Sequence, residues 1–153
     1  RLFDAVHQSI GHNKYLLLQN GVTLQVHETE DTIFSDEKWL CFILNQLISN
    51  AVKYRRDPPV LTFRAVRNQD TLTLSLQDIG IDARDLPRIF DKGFTGQNGR
   101  RSAPNATGLG LYLCKRLCDK LDIGLQAQSS PAGTTLSLTF RINDFIHGVQ
   151  GPL

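Results

Sequence analysis

Two side-chain amides stand four residues apart in the stretch Asn45-Gln46-Leu47-Ile48-Ser49-Asn50-Ala51-Val52-Lys53-Tyr54. On a helix Gln46 and Asn50 share a face, and that face is polar inside an otherwise apolar pattern. An amide oxygen is a hard ligand suited to Mg²⁺, an ion that takes few protein groups and keeps its waters and phosphates. Lys53, one turn on, offers a compact point charge. Further along, Gly108 and Gly110 immediately precede a second helical pattern. Free N–H groups and the helix dipole make such a start an anion site, and glycine lets the anion approach closely. Thr107 adds a hydroxyl there. Between these regions Lys92, Arg100 and Arg101 lie on a segment hinged by Gly93, Gly96 and Gly99. Basic groups on a hinged loop can close over a polyphosphate. Asp78 ends an alternating strand pattern with no charged partner in view, so it needs a ligand or a local turn bond. Each feature alone also has a bland reading: an amide capping backbone, a solvated lysine, a plain helix start, a surface loop.

The elements that must position these groups can be read from periodicity. Residues 2–18 are helix-compatible, with Leu2, Phe3, Val6 and Ile10 on one face and an interruption at Gly11 and Asn13. Asn20-Gly21 is a turn, and Val22, Leu24 and Val26 alternate as a strand. Ser35 is the expected N-cap of the clearest helix, which carries Leu40, Ile43, Leu44, Leu47, Ile48 and Ala51 through to Tyr54 and is stopped by Asp57-Pro58-Pro59. Leu61, Phe63, Ala65 and then Leu72, Leu74, Leu76 predict a hairpin. Residues 77–108 read as a long functional loop with a short helical piece around Leu86 to Phe90. A helix follows from about Gly108 to Leu121, then strands Ile123 to Ser129 and Thr134 to Ile142. The expected architecture is a two-layer α/β sandwich, a mixed sheet packed against three helices, within one domain of residues 1–144 followed by a frayed tail, 145–153.

Composition narrows the class. The chain has 153 residues, 41% hydrophobic and 21% charged, with a formal net charge of +2, ordinary for a globular domain with a real core. That charge, without a basic stripe, gives no case for a nucleic-acid partner. No apolar run reaches the roughly 18 residues of a membrane helix. Three cysteines, Cys41, Cys114 and Cys118, make neither a disulfide framework nor a zinc site. They read as small buried hydrophobes.

Four segments in order resemble the N, G1, F and G2 boxes of sensor histidine kinases: Asn45 to Tyr54, Asp78-Ile79-Gly80-Ile81, Arg88-Ile89-Phe90-Asp91-Lys92-Gly93-Phe94-Thr95-Gly96, and Thr107-Gly108-Leu109-Gly110-Leu111. The resemblance covers nearly the whole chain. It implies the ATP-binding catalytic domain of a histidine kinase, with an ATP lid between the F and G2 boxes. It assigns Asn50 to Mg²⁺ and Lys53 to the phosphates. Tyr54 would pack near the nucleotide and Asp78 would accept from the adenine amino group. Gly80 and Ile81 would line the base pocket. Lys92, Phe94, Arg100 and Arg101 would form the lid, and Thr107, Gly108, Leu109 and Gly110 would cradle phosphate. Gln46 stands where these kinases usually carry a first Asn, behind the ligand; Asn45 is one residue, about 100°, out of register. The wording from Phe90 to Gly96, with Asn98-Gly99-Arg100 after it, looks like kinases that pair with transporters.

The pattern breaks in one place. The family's G1 box reads Asp-x-Gly-x-Gly-Ile, whereas Asp78-Ile79-Gly80-Ile81-Asp82 is two residues short. Either the loop is truly tighter, or two residues are missing from the sequence between Asp78 and Ile79. None of His7, His12, His27 and His147 has the context of a phospho-acceptor. The resemblance therefore implies a cytoplasmic domain of a membrane-bound kinase that donates to a histidine on a separate, N-terminal dimerisation segment and signals to a response regulator. The competing expectations are a degenerate, non-catalytic module that docks signalling partners, and a related ATPase that hydrolyses ATP or phosphorylates serine.

Overall fold

Apolar–polar alternation builds five strands and helical spacing builds four helices among the residues that the computed structural model describes, 1–94, 110–131 and 133–142. In chain order they are α1 (Leu2–His12), α2 (Lys14–Gln19), β1 (Thr23–His27), α3 (Glu37–Lys53), β2 (Val60–Asn68), β3 (Thr71–Ile79), a 3₁₀ turn (Ala83–Arg88), α4 (Gly110–Lys120), β4 (Gly124–Ser130) and β5 (Gly133–Arg141). The sheet order is β1-β2-β3-β5-β4, with β1 parallel to β2 and the remaining pairs antiparallel. The expected mixed sheet and two-layer sandwich are present. The short helical piece falls at Ala83–Arg88 rather than around Leu86 to Phe90. The tail 145–153 lies outside the described residues.

One face of the sheet is apolar and one is polar, as strand periodicity requires. Leu61, Phe63, Leu72, Leu74, Leu76, Leu136, Leu138 and Phe140 are buried and meet the helix layer. Their strand neighbours Thr62, Thr73, Ser75, Ser137 and Thr139 point to the opposite, open face. There the hydroxyls of Thr73 and Thr139 lie 3.3 Å apart across β3 and β5. α3 supplies Leu40, Ile43, Leu44, Leu47, Ile48, Ala51 and Val52 to the core. Its N-cap is Asp36, not the expected Ser35: the Asp36 carboxylate accepts from Trp39 N–H at 3.2 Å, and an ionised cap also favours the positive helix end. On α4, Cys114 and Cys118 are fully buried. Desolvation pushes their thiols up to about 12 and about 11, which keeps both protonated and unreactive.

The first helix breaks at Asn13 alone; Gly11 stays helical. The break is bound to α3. The Ser9 hydroxyl donates to Asn45 Oδ1 at 2.5 Å, and Asn13 Nδ2 donates to the same oxygen at 2.9 Å and to Ser9 O at 2.8 Å. Asn45, out of register for the site, thus holds α1 to α3. No helix among the described residues is long and apolar enough to cross a membrane.

β3 carries one irregularity. Leu76 pairs with Leu136 and Ile79 with Thr134, so β3 takes three steps where β5 takes two. The extra residue forms a bulge, and Asp78 takes φ 73°, a left-handed conformation costly for most non-glycine residues. The bulge restores Ile79 to the core, where it is fully buried. Asp78 and Ile79 are the last two residues of β3.

Asn45→Ala is expected to destabilise the fold by about 1–3 kcal/mol, because it leaves the buried Ser9 hydroxyl without its acceptor and takes from the Asn13 amide one of its two. Urea unfolding of the two proteins measures this.

Candidate functional site

The end of α3 and the start of α4 come together. Asn50 is 7% exposed. Its Nδ2 donates to Gln46 O at 2.8 Å, and its Oδ1 has no partner among the described residues. Gly110, the first described residue of α4, sits directly on this pair. A Cβ built there would collide with Gln46 Oε1 and come 3.4 Å from Asn50 Nδ2. The space beside Gly110 is thus taken by the end of the Gln46 side chain, with the Asn50 amide next to it. Most buried polar atoms are hydrogen-bonded, so an amide oxygen with no partner among the described residues is an acceptor open to a ligand. It fits Mg²⁺, which needs few protein oxygens, and no cluster of three or more His, Cys, Asp or Glu competes for a metal among the described residues.

Lys53, three residues on, is half-buried. Its Nζ lies 5.4 Å from the Tyr54 ring centroid, and desolvation lowers its pKa. A phosphate would restore what burial removes. Tyr54 is 5% exposed; burial, helped by the nearby Asp85 carboxylate, pushes its hydroxyl up to about 12. The segment from Arg88 to Phe94, where the lid is expected to begin, makes cation–ring contacts. Arg88 stacks 5.3 Å from Phe94, Lys115 of α4 lies 5.8 Å from Phe90, and Lys92 lies 5.9 Å from Tyr112 of α4. Phe90 and Phe94 are partly buried against the core.

The base-side residues are arranged differently from the expectation. Gly80 N–H donates to Tyr54 O at 2.7 Å, and Thr134 Oγ1 donates to Ile81 O at 2.9 Å. Gly80 has no room for a side chain, since a Cβ would meet Tyr54 O at 2.7 Å and Arg56 Cγ at 2.8 Å. These contacts tie Gly80 to the end of α3 and Ile81 to β5. Asp78 is not delivered with them. Its Oδ2 accepts from Thr62 Oγ1 at 3.2 Å, and Thr62 also reaches Gln25 Oε1 at 3.5 Å. Thr62 stands between Leu61 and Phe63, which face the helices, so it occupies the open face of the sheet. The carboxylate expected at the adenine amino group is therefore held on the side away from Asn50 and Lys53. The bulge is the physical reason.

Asn50, Lys53, Tyr54, Gly80, Ile81, Lys92, Phe94 and Gly110 are thus placed around the α3–α4 junction or on the segment leading to it. Arg100, Arg101, Thr107, Gly108 and Leu109 lie outside the described residues. Sequence reasoning missed Thr62, Thr134 and Arg56. A lone polar residue between Leu61 and Phe63 was the available signal for Thr62, although it reads as ordinary strand alternation.

Comparison with known proteins bears on the family and the fold. Residues 35–144 match the family described as histidine kinase-, DNA gyrase B-, and HSP90-like ATPase. The sensor protein BceS of Halalkalibacterium halodurans is 38% identical over 149 residues, 95% of this chain and 44% of the relative. BceS of Bacillus subtilis is 38% identical over 137 residues, 87% of this chain and 40% of the relative. The chain spans less than half the length of these curated relatives. Among solved structures, the mycobacterial sensor histidine kinase MprB superposes with TM-score 0.73 at 17% identity, covering 92% of this chain and 93% of that one. The catalytic domain of histidine kinase ThkA superposes with TM-score 0.74 at 12% identity, covering 92% and 91%. At these identities the likeness is one of fold.

Gly110→Ala is expected to change stability by less than about 1 kcal/mol, because the atom its Cβ would meet is the end of the flexible Gln46 side chain, which can turn away, and alanine is the better helix former. Thermal unfolding of the two proteins checks it; a loss of several kcal/mol would mean that Gln46 is held rigidly against α4.

Proposed function

The chain belongs to the histidine kinase-, DNA gyrase B-, and HSP90-like ATPase family, as an ATP-binding catalytic domain of the sensor histidine kinase type, and from that premise we propose how its residues work. Asn50 Oδ1 takes Mg²⁺, the charge of Lys53 and the N-terminus of α4 at Gly110 take the phosphates, and Tyr54 packs beside the nucleotide. Lys92 and Phe94, continued through Arg100, Arg101, Thr107, Gly108 and Leu109, form the lid. Magnesium would neutralise charge on the transferring phosphoryl group. The γ-phosphoryl passes in line to a histidine on a dimerisation segment of the same kinase, since His7, His12, His27 and His147 lack that setting. The full protein then signals to a response regulator. The Phe90 to Gly96 wording supports a transporter partner and a membrane-bound kinase with this domain in the cytoplasm. Residues 1–144 form the nucleotide domain, with 145–153 as a tail.

The observation that carries this reading is the buried amide oxygen of Asn50, without a partner among the described residues, beside the start of α4. Calorimetric titration with a non-hydrolysable ATP analogue should show Mg²⁺-dependent binding. Asn50→Ala should weaken it by about tenfold or more, the loss of one charge-assisted contact. No heat from folded protein with Mg²⁺ would exclude the reading and favour the second one, a non-catalytic docking module, which the shortened Asp78 segment supports.

Lys53 adds a pH dependence. Desolvation lowers its pKa from 10.5, so the cation is lost at lower pH than on an exposed lysine. Nucleotide affinity should therefore fall as pH rises through that depressed pKa, and Lys53→Arg, which stays charged, should hold affinity over the same range.

A further inference from the structure

The strand that should present a carboxylate to the purine turns it the other way. Asp78 is the extra residue of the β3 bulge at φ 73°, and its Oδ2 is bonded to Thr62 Oγ1 at 3.2 Å. Thr62 is 4% exposed and lies on the open face. On either side the chain is pinned. Ile79 is buried and bridges Arg55, Gly80 N–H is bonded to Tyr54 O, and the Thr134 hydroxyl is bonded to Ile81 O. With no residue to spare between Asp78 and Ile79, the carboxylate cannot swing to the helix side without breaking these bonds.

Purines differ in what they ask of a protein here. The 6-amino group of adenine is a donor and needs an acceptor; the 6-oxo group of guanine is an acceptor and needs a donor. A buried acceptor aimed at the amino group would select adenine strongly, because guanine would leave it unpaired. The side chain beside Gly80 is Arg56, but it is the aliphatic Cγ that lies there, 2.8 Å from where a Gly80 Cβ would be; its Nη1 reaches to 2.9 Å from where a Gly133 Cβ would be.

We propose that this site reads its purine without Asp78 and accepts 6-oxopurine nucleotides alongside adenine nucleotides. The proposal rests on the α3–α4 junction being a nucleotide site. Selectivity then comes from shape and phosphate contacts, which every purine nucleoside triphosphate shares.

The test is calorimetric titration of the folded chain, with Mg²⁺, against the non-hydrolysable analogues of ATP and GTP. The expected Kd values lie within about tenfold of each other, against the hundredfold or more that a made polar contact confers. Inserting Asn-Gly between Asp78 and Ile79 should free the carboxylate and widen the ratio in favour of ATP. Asp78→Asn in the natural-length chain should leave the ratio where it was, with circular dichroism confirming the fold of each variant. ATP binding a hundredfold tighter than GTP, with that preference lost in Asp78→Asn, overturns the proposal while leaving the nucleotide site intact. Binding of neither analogue overturns both.

Discussion

Everything at the site depends on α3 doing two jobs with one set of backbone hydrogen bonds. Its buried apolar residues from Leu40 to Val52 hold the helix layer to the sheet. Each leucine, isoleucine or valine among them is worth roughly 1.5–3 kcal/mol when removed from water. An unsatisfied buried amide costs about 1–3 kcal/mol, so a helix with seven apolar anchors can carry the Asn50 oxygen, which has no partner among the described residues, and remain in place. That oxygen is tolerable because of the core beneath it, and it is fixed because the Nδ2 of the same amide is bonded back to Gln46 O. Neighbouring amides serve different directions. Asn45 faces α1 and satisfies Ser9 and Asn13; Gln46 faces the first turn of α4. Helical geometry, at about 100° per residue, is what separates a structural amide from one at the site.

The sheet is less accommodating than the helix. A helix can lose a residue at its end and fray; a strand between two partners must keep its register or turn its side chains over. β3 lies between β2 and β5 and keeps register by bulging at Asp78. The bulge saves Ile79 for the core and gives up the direction of the carboxylate. Packing thus takes precedence over the site: a fully buried isoleucine outweighs one side chain's aim.

Much of this was legible beforehand. The α3 and α4 faces, the two hairpins and the polar patch at Gln46 and Asn50 all follow from spacing, because periodicity is set by the local chain. The shortened G1 segment was visible as a departure, but its outcome was not, since the partner that takes Asp78 is Thr62, sixteen residues away. Thr134 and Arg56 were invisible for the same reason. Asp36 displaced Ser35 as the helix cap through a one-residue choice that propensity does not resolve, both residue types being good caps. Asn45 was set aside as out of register, and that same rotation is what turns it toward α1.

The crowding of α3 leaves one opening. From Leu40 to Lys53 only Ser49 is exposed. It adjoins Asn50 in sequence yet looks outward. A cysteine placed there would be a solvent-facing attachment point for a fluorophore beside the site. Of the native thiols, Cys114 and Cys118 are buried and kept protonated, which leaves Cys41 as the one to replace. The same burial that makes α3 intolerant of change thus makes position 49 a clean reporter of ligand arrival.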